Sequence, residues 1–172
     1  MGDSVDDEAM VAFCRTQHTR LVGVLAYSVG DRFVAEELAQ ETLIRVCQHW
    51  PKVRDMAAPE AWAHRVAQNL ASSWVRRRIA ERRATRRVQA HPVAQVVEPT
   101  ADVVALRAEI KRLPARQRTA LVLRYFADLP AAQVATVMGC SDGTVRALTH
   151  QAISALRERG ELTGLQEVTD AI

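Results

Sequence analysis

The chain has 172 residues, 48% of them hydrophobic, which is enough for one or two domains with buried cores. Aromatic residues make up only 5%, and heavy use of alanine and arginine favours helix over sheet. No stretch approaches the roughly 18 apolar residues of a membrane span, and the acidic N-terminus lacks the layout of a signal peptide. We therefore expect a cytoplasmic protein without membrane insertion.

Charge is unevenly distributed along the chain, although the net charge is only +3. Between residues 1 and 41 there are eight acids and three arginines, whereas from Arg65 to Arg87 eight arginines accompany one acid, Glu81. A concentrated cationic segment is typical of a surface that binds a polyanion. The pattern predicts one surface for a nucleic acid and another for a protein.

Three helices are predicted in the first block. An apolar pattern from Phe13 to Ala26 indicates a helix that ends near Gly30. The second helix, over residues 31–50, has one apolar face and is ended by Pro51. That face consists of Ala35, Leu38, Ala39, Thr42, Leu43, Val46 and Trp50. Pro59 suits the first turn of a third helix, which becomes arginine-rich. Its apolar repeat is Trp62, Val66, Leu70 and Trp74.

Periodicity is lost between about residues 88 and 100, where Pro92 and Pro99 interrupt a run of small and polar residues. This composition predicts a flexible linker. We divide the chain into a first domain at 1–87, a linker at 88–101, a second domain at 102–160 and a tail at 161–172. The predicted fold is all-α, with two small helical domains.

The second domain is predicted to contain four short helices, the last two joined by a tight turn. Small Ala135 allows two helices to approach, Gly139 permits the turn, and Ser141 can cap the helix that follows. Leu148 lies where such a unit needs a core residue. This pattern predicts a helix-turn-helix.

Three segments resemble the extracytoplasmic-function (ECF) sigma factors of bacterial RNA polymerase, closest to the actinobacterial SigE-like group. The family's polymerase-binding segment is similar to GDRFVAEELAQETLIRVCQHWPKV, and its promoter-melting segment to PEAWAHRVAQNLASSWVRRR. Its C-terminal promoter-reading domain is similar to residues 113–157. The resemblance implies sigma region 2 followed by sigma region 4, and a role in directing polymerase to promoters and melting them.

The resemblance also implies three groups of functional residues. Binding to core RNA polymerase falls to Glu36, Glu37, Gln40, Glu41 and Arg45. Recognition and melting of the −10 promoter element fall to Trp62, Arg65, Asn69, Ser72, Ser73, Arg76, Arg77 and Arg78. Reading of the −35 element falls to Arg116, Arg118, Arg124, Ser141, Thr144, Arg146, Ala147, His150 and Gln151. Whether Trp62 and Trp74 contact DNA or only pack in the hydrophobic core of this protein stays open.

The recognition helix departs from the family pattern, because Leu148, Gln151 and Ile153 stand where further arginines are common. Weaker −35 contacts are therefore expected, and Asp142 would repel phosphate unless it caps the helix or accepts a hydrogen bond from a cytosine. Core RNA polymerase and promoter DNA are the expected partners. The resemblance leaves open whether an anti-sigma factor also binds.

Two other functions were weighed. A stand-alone helix-turn-helix regulator would explain the second domain but not the first. An enzyme is disfavoured because Cys47 and His49 point to different helix faces, and Glu60 and His64 are an ordinary surface pair at four residues' spacing. No phosphate loop or metal-ligand spacing appears, so neither a cofactor nor a metal is expected.

The cysteines Cys14, Cys47 and Cys140 are widely spaced and include no CxxC pair, which predicts neither a disulfide framework nor a zinc site. We expect them to be small, buried apolar side chains.

Overall fold

The computed structural model describes residues 2–84 and 101–158, and the side chains of residues 6–81 and 105–158. The predicted linker, up to residue 100, and the predicted tail lie outside these ranges. Within them the chain forms eight helices and no strand, which confirms the all-α fold class. The helices are α1 (Gly2–Val29), α2 (Arg32–Gln48), α3 (Trp50–Val53), α4 (Pro59–Ala84), α5 (Ala101–Arg112), α6 (Ala115–Tyr125), α7 (Ala131–Met138) and α8 (Asp142–Glu158).

A sharp reversal turns α1 back along α2. Gly30 adopts a φ of +78°, a conformation that favours glycine, and ends α1 as predicted. Asp31 then caps α2, because its carboxylate accepts hydrogen bonds from the backbone N–H groups of Phe33 at 2.9 Å and Val34 at 3.3 Å. The two helices pack against each other, and both contact α4.

Small side chains form much of the core of this first block. On α2 the predicted apolar face is confirmed, and its buried members are Ala35, Ala39, Thr42 and Val46. On α4 the buried residues include Ala61, Ala63, His64, Ala67 and Ala71, whereas the predicted repeat of Trp62, Val66, Leu70 and Trp74 is only half-buried. Alanines let α4 lie close to α1 and α2, so the larger side chains are displaced to the flanks of the helix contact.

The connection after α2 contains a further short helix. Helix α2 ends at Gln48, and Pro51 lies in the first turn of α3, where its missing N–H is tolerated. The buried indole of Trp50 donates a hydrogen bond to the Asp6 carboxylate at 3.0 Å. Arg54 forms an ion pair with the same carboxylate and thereby lowers the pKa of Asp6. These contacts hold the beginning of α1 against α3.

The second block contains the predicted helix-turn-helix in α7 and α8. Gly139, at a φ of +63°, ends α7 in the left-handed conformation. Ser141 caps α8 by accepting a hydrogen bond from the backbone N–H of Thr144 at 3.2 Å. Helix α8 packs on α6 and α7 through Val145, Thr149, Ala152 and Leu156. Leu148, expected in the core, is half-buried, and Thr149 is buried instead.

The two blocks pack against each other and share buried apolar residues. Val24 and Tyr27 of α1 and Ala61 of α4 belong to the same cluster as the core of the second block. Helix α4 contacts α7, and the rings of Tyr27 and Phe126 lie 4.8 Å apart. The two blocks therefore adopt one closed arrangement. The flexibility predicted for the linker stays a prediction.

Candidate functional site

One face of α2 points away from the core and presents both charged and apolar side chains. Glu37 and Gln40 are exposed, and Glu36, Glu41 and Arg45 are half-exposed beside them. Two ion pairs, each between residues four positions apart, lie at the edges of this face. Arg32 lies 3.1 Å from Glu36, and Arg45 lies 2.9 Å from Glu41. All five residues assigned to polymerase binding are thus accessible on one helix.

Two exposed hydrophobic residues lie on the same face and were missed by the sequence reasoning. The Phe33 side chain is 66% exposed and Ile44 is 52% exposed. Helical periodicity could have identified them from the sequence, because both positions lie opposite the buried face that contains Ala35 and Ala39. Large apolar groups among charges on a helix that already packs elsewhere are suited to a protein partner. We call Phe33, Glu36, Glu37, Gln40, Glu41, Ile44 and Arg45 the α2 surface.

Helix α4 aligns most of the residues assigned to the −10 element along one solvent-facing line. Trp62, Arg65, Asn69, Ser73 and Arg76 recur at three- or four-residue spacing, opposite the buried alanines of the same helix. From the first to the last of them the helix rises about 21 Å. The exposed Ser72 and Arg77 border this line, whereas the exposed Arg78 lies on the opposite side of the helix. We call these eight residues the α4 surface.

Local contacts arrange the α4 surface. The Arg76 guanidinium donates a hydrogen bond to the Ser73 hydroxyl at 3.0 Å. Trp62 is half-buried, and its ring lies 5.9 Å from that of His49, inclined by 46°. Trp74 is also half-buried, but it lies about a third of a turn away in helical phase. Trp62 therefore borders the polar line, whereas Trp74 does not.

The N-terminal half of α8 is exposed along the face that points away from α6 and α7. Arg146, Ala147, His150 and Gln151 are exposed, as is Ser141 in the turn. Thr144 is half-buried, and its hydroxyl lies 2.9 Å from that of Ser141. Because Ser141 caps α8, Asp142 is not the cap, and its exposed carboxylate lies in the first helical turn. We call Ser141, Thr144, Arg146, Ala147, His150 and Gln151 the α8 surface.

The arginines assigned to additional −35 contacts have different surroundings. Arg118 donates to the Lys111 carbonyl at 2.8 Å, and burial lowers its pKa. Arg124 donates to the Leu129 carbonyl at 2.6 Å. Both side chains are half-buried and stabilise turns at the two ends of α6, whereas Arg116 is exposed. Of the three, Arg116 is the most accessible to DNA.

The histidines of the two side-chain pairs considered for an enzyme have different surroundings. The interpretation of Glu60 and His64 as a surface pair is wrong, because His64 is fully buried in α4. His49 is exposed at the end of α2, with its Nδ1 atom 2.9 Å from the Arg45 carbonyl oxygen. Within the described ranges no group of three or more potential ligands could hold a metal ion, and no helix is long and apolar enough to cross a membrane.

Comparisons with known proteins agree with this arrangement. Residues 14–87 match the family model for Sigma-70 region 2, and residues 104–156 match that for Sigma-70, region 4. The RNA polymerase sigma-E factor of Streptomyces coelicolor is 30% identical over 158 residues, which cover 92% of this chain and 88% of that relative. The ECF RNA polymerase sigma factor SigL of Mycobacterium tuberculosis is 31% identical over 140 residues, with 74% and 75% covered. The chain belongs to the ECF sigma factor family.

As an ECF sigma factor, the protein is a promoter-specificity factor of RNA polymerase, and the stand-alone regulator is not favoured. The resemblance inferred from the sequence is confirmed. A solved structure of the sigma factor RpoE from Bartonella quintana, in complex with the anti-sigma factor NepR, has the same fold, with a TM-score of 0.71. It is 20% identical, and the alignment covers 88% of this ECF sigma factor and 98% of that chain.

Proposed function

We propose that this sigma factor binds core RNA polymerase through the α2 surface, melts and reads the −10 element with the α4 surface, and reads the −35 element with the α8 surface. One observation carries this assignment of residues. The α2 and α4 surfaces belong to helices that pack together through buried alanines, yet each surface points to solvent. A rigid unit of this kind can contact polymerase and DNA at the same time.

The composition of the α2 surface supports its assignment to a protein partner. Glu37 and Gln40 lie between the exposed side chains of Phe33 and Ile44. The apolar groups gain from burial, while the acids select a partner surface of opposite charge. Mixed character of this kind is typical of protein interfaces rather than of DNA contacts.

The α4 surface combines the features needed to hold a separated DNA strand. Stacking of a base on an aromatic ring contributes about 1–3 kcal/mol, and Trp62 lies at one end of the surface. Asn69 and Ser73 can hydrogen-bond base edges or the sugar-phosphate backbone. Arg65 and Arg76 can contact phosphates, and their contribution decreases as salt increases.

The α8 surface suits the major groove because a recognition helix contacts base edges with its N-terminal residues. Arg146 can bind guanine or phosphate, and Gln151 can bind adenine. Gln151 already accepts a hydrogen bond from Gln117 at 3.2 Å, which orients its amide at the surface. Few cations accompany these residues, so α8 contributes specificity with modest affinity.

The protein performs no catalytic chemistry of its own in this proposal and acts in the cytoplasm, where polymerase and promoters are found. The Bartonella relative was solved with an anti-sigma factor, so a protein of that class is a candidate further partner.

A run-off transcription assay tests the proposal. We expect a transcript with a defined start site when core polymerase, the sigma factor and a cognate genomic promoter are combined. Omitting either protein, or scrambling the −10 and −35 elements, should abolish it. Sequence-specific DNA binding without polymerase, together with the absence of any transcript, would contradict the proposed function.

A further inference from the structure

Two cysteines from different helices meet where α1 packs against the end of α2. The Sγ atoms of Cys14 and Cys47 lie 3.8 Å apart, although 33 positions separate these residues in the sequence. The expectation of buried cysteine side chains is wrong, because Cys47 is exposed and Cys14 is half-buried. Because the two cysteines form no CxxC motif, the sequence did not indicate that they lie close together.

The surroundings of the two thiols differ in a way that suits consecutive reaction steps. Cys14 packs against the buried cluster that contains Val46 and Trp50, so its position is held by the core. Cys47 lies near the solvent-facing side of α2, where a small oxidant can reach its sulfur. To form a disulfide, the sulfur separation would have to shorten from 3.8 Å to about 2.05 Å, a change that side-chain rotation can contribute.

We propose that Cys14 and Cys47 form a peroxide-sensitive thiol pair, which is oxidised to an intramolecular disulfide that joins α1 to α2. The third cysteine, Cys140, lies between α7 and α8 and takes no part.

The reaction balances with hydrogen peroxide as the oxidant. The deprotonated Cys47 sulfur attacks one peroxide oxygen, the O–O bond breaks, and hydroxide leaves and is protonated to water, which gives a sulfenic acid. The Cys14 thiol then loses its proton, and its sulfur attacks that of Cys47. The S–O bond breaks, and a second water is released. Two thiols are oxidised to one disulfide, and one peroxide is reduced to two waters.

The order of these steps follows from the accessibility of the thiols. Burial, and to a smaller extent the neighbouring Cys47, raise the pKa of Cys14 to about 11, which disfavours Cys14 as the first nucleophile. Cys14 lies within contact distance of the sulfur that it must attack.

The disulfide would fix the C-terminal end of α2 against α1. Cys47 follows Ile44 of the α2 surface by three residues, so the bond would form beside the proposed polymerase contact. This consequence rests on the proposed function, whereas the thiol chemistry does not. Disulfides in reducing compartments are usually transient, which fits a reversible response to peroxide.

The test uses the purified full-length protein under native conditions. It is treated with hydrogen peroxide, its remaining thiols are blocked, and it is analysed by intact mass, peptide mapping and thermal unfolding. We expect one blocked thiol, at Cys140, instead of the three of the untreated protein, and a peptide linked through Cys14 and Cys47 that has lost two hydrogen atoms. The midpoint of unfolding should rise by on the order of 5 °C or more, and dithiothreitol should reverse this change.

Matched cysteine variants keep the test decisive. Cys140→Ser should behave like the unmodified chain, whereas Cys14→Ser should stop at the sulfenic acid on Cys47, which a dimedone probe traps. Cys47→Ser should not form the link. Overoxidation of Cys47 without a link to Cys14, or a link that requires Cys140, would overturn the proposal. None of these measurements depends on polymerase, so their failure is distinguishable from failure of the sigma function.

Discussion

The buried histidine of α4 makes stability depend on pH. His64 is fully buried, and neither ring nitrogen has a hydrogen-bond partner among the described residues. Burial, with a smaller effect from the positive charge of Arg20, lowers the pKa of His64 from 6.5 to about 4. The folded state therefore binds this proton less readily than the unfolded state. The resulting stability is fully present above pH 6.5 and is lost as the pH falls towards 4.

We predict that His64 accounts for a loss of roughly 3 kcal/mol in the free energy of unfolding between pH 7 and pH 4. Urea denaturation at several pH values measures this loss. His64→Leu should remove that part of the pH dependence, because the buried ionisable group is gone. The exposed His150 provides the control, and His150→Ala should keep the pH profile of the unmodified chain. Equal pH profiles for the unmodified chain and His64→Leu would contradict the prediction.

A second prediction at this scale concerns the cations of α8. In the complex with polymerase, Arg146→Ala should lower the log-log slope of promoter affinity against salt by nearly one unit, because about one phosphate contact is lost. Gln151→Arg should raise the slope by a similar amount. Arg15→Ala, at an exposed position on α1, is the control. Equilibrium binding at several salt concentrations measures the slopes, and slopes unaffected by both α8 variants would show that this helix does not contact phosphates.

At the scale of single helices, the α2 surface predicts a specific loss of polymerase binding. Glu37→Lys should weaken the affinity for core polymerase by about tenfold, or roughly 1.4 kcal/mol, because it reverses charge at an exposed interface position. Phe33→Ala should also weaken binding through lost apolar contact. Both variants should keep their helical content by circular dichroism, and Glu8→Lys on α1 is the control. Unchanged affinity in both α2 variants would argue against this surface.

The arginines at the end of the α4 surface should act mainly in strand separation. Replacing Arg76, Arg77 and Arg78 with alanine should reduce open-complex formation on a duplex promoter more than on a pre-melted template. The reason is that melting costs free energy, which contacts to the displaced strand offset. Permanganate footprinting on both templates measures the difference. An equal loss on both would mean that the three arginines serve only as general electrostatic anchors.

Local signals explain which helices could be predicted from the sequence. The C-terminal ends of α1 and α7 follow from Gly30 and Gly139, because glycine readily adopts the positive φ of the turn that ends each helix. The start of α4 follows from Pro59, because proline is tolerated in the first turn of a helix. The face of α2 followed from the spacing of its apolar residues. The buried face of α4 could not be chosen in this way, since alanines and tryptophans recur with similar periods and only the distance between helices decides between them.

The candidate site likewise contains residues that the sequence identified and contacts that it could not identify. The accessible residues of α2, α4 and α8 could be named from the resemblance, but Phe33 and Ile44 appear only when the exposed face is seen. The meeting of Cys14 with Cys47 depends on the register between α1 and α2, which no local pattern encodes. Such tertiary contacts are the part of the site that sequence reasoning could not reach.

At the scale of the whole molecule, the proposed roles of the α4 and α8 surfaces set a requirement on how far apart the two blocks lie. Helix α7 packs directly on α4, and neighbouring helix axes lie about 8–10 Å apart. The −10 and −35 positions are about 25 base pairs apart, on the order of 85 Å along B-DNA. If the α4 and α8 surfaces read these two elements as proposed, we expect the two blocks to move apart before both elements are contacted.

We predict that Phe126→Ala loosens the closed arrangement, because the ring contact with Tyr27 is lost. An aromatic pair contributes about 0.5–1.5 kcal/mol beyond the area that it buries. Small-angle X-ray scattering should show a larger radius of gyration for Phe126→Ala. The control variant Val11→Ala, at another exposed apolar residue, should leave the radius of gyration unchanged. An unchanged radius for Phe126→Ala would mean that the remaining shared core holds the blocks together without this pair.

We predict that the shared core also sets a threshold for assembly with polymerase. When only the separated form can engage fully, the measured dissociation constant equals the intrinsic one divided by the fraction of molecules that are already separated. Each 1.4 kcal/mol of preference for closure then weakens the measured affinity by about tenfold. Weakening the contact between Tyr27 and Phe126 should consequently tighten polymerase binding, although neither residue belongs to the α2 surface. The packing between the blocks would thus set the fraction of molecules that are closed and unable to engage polymerase fully.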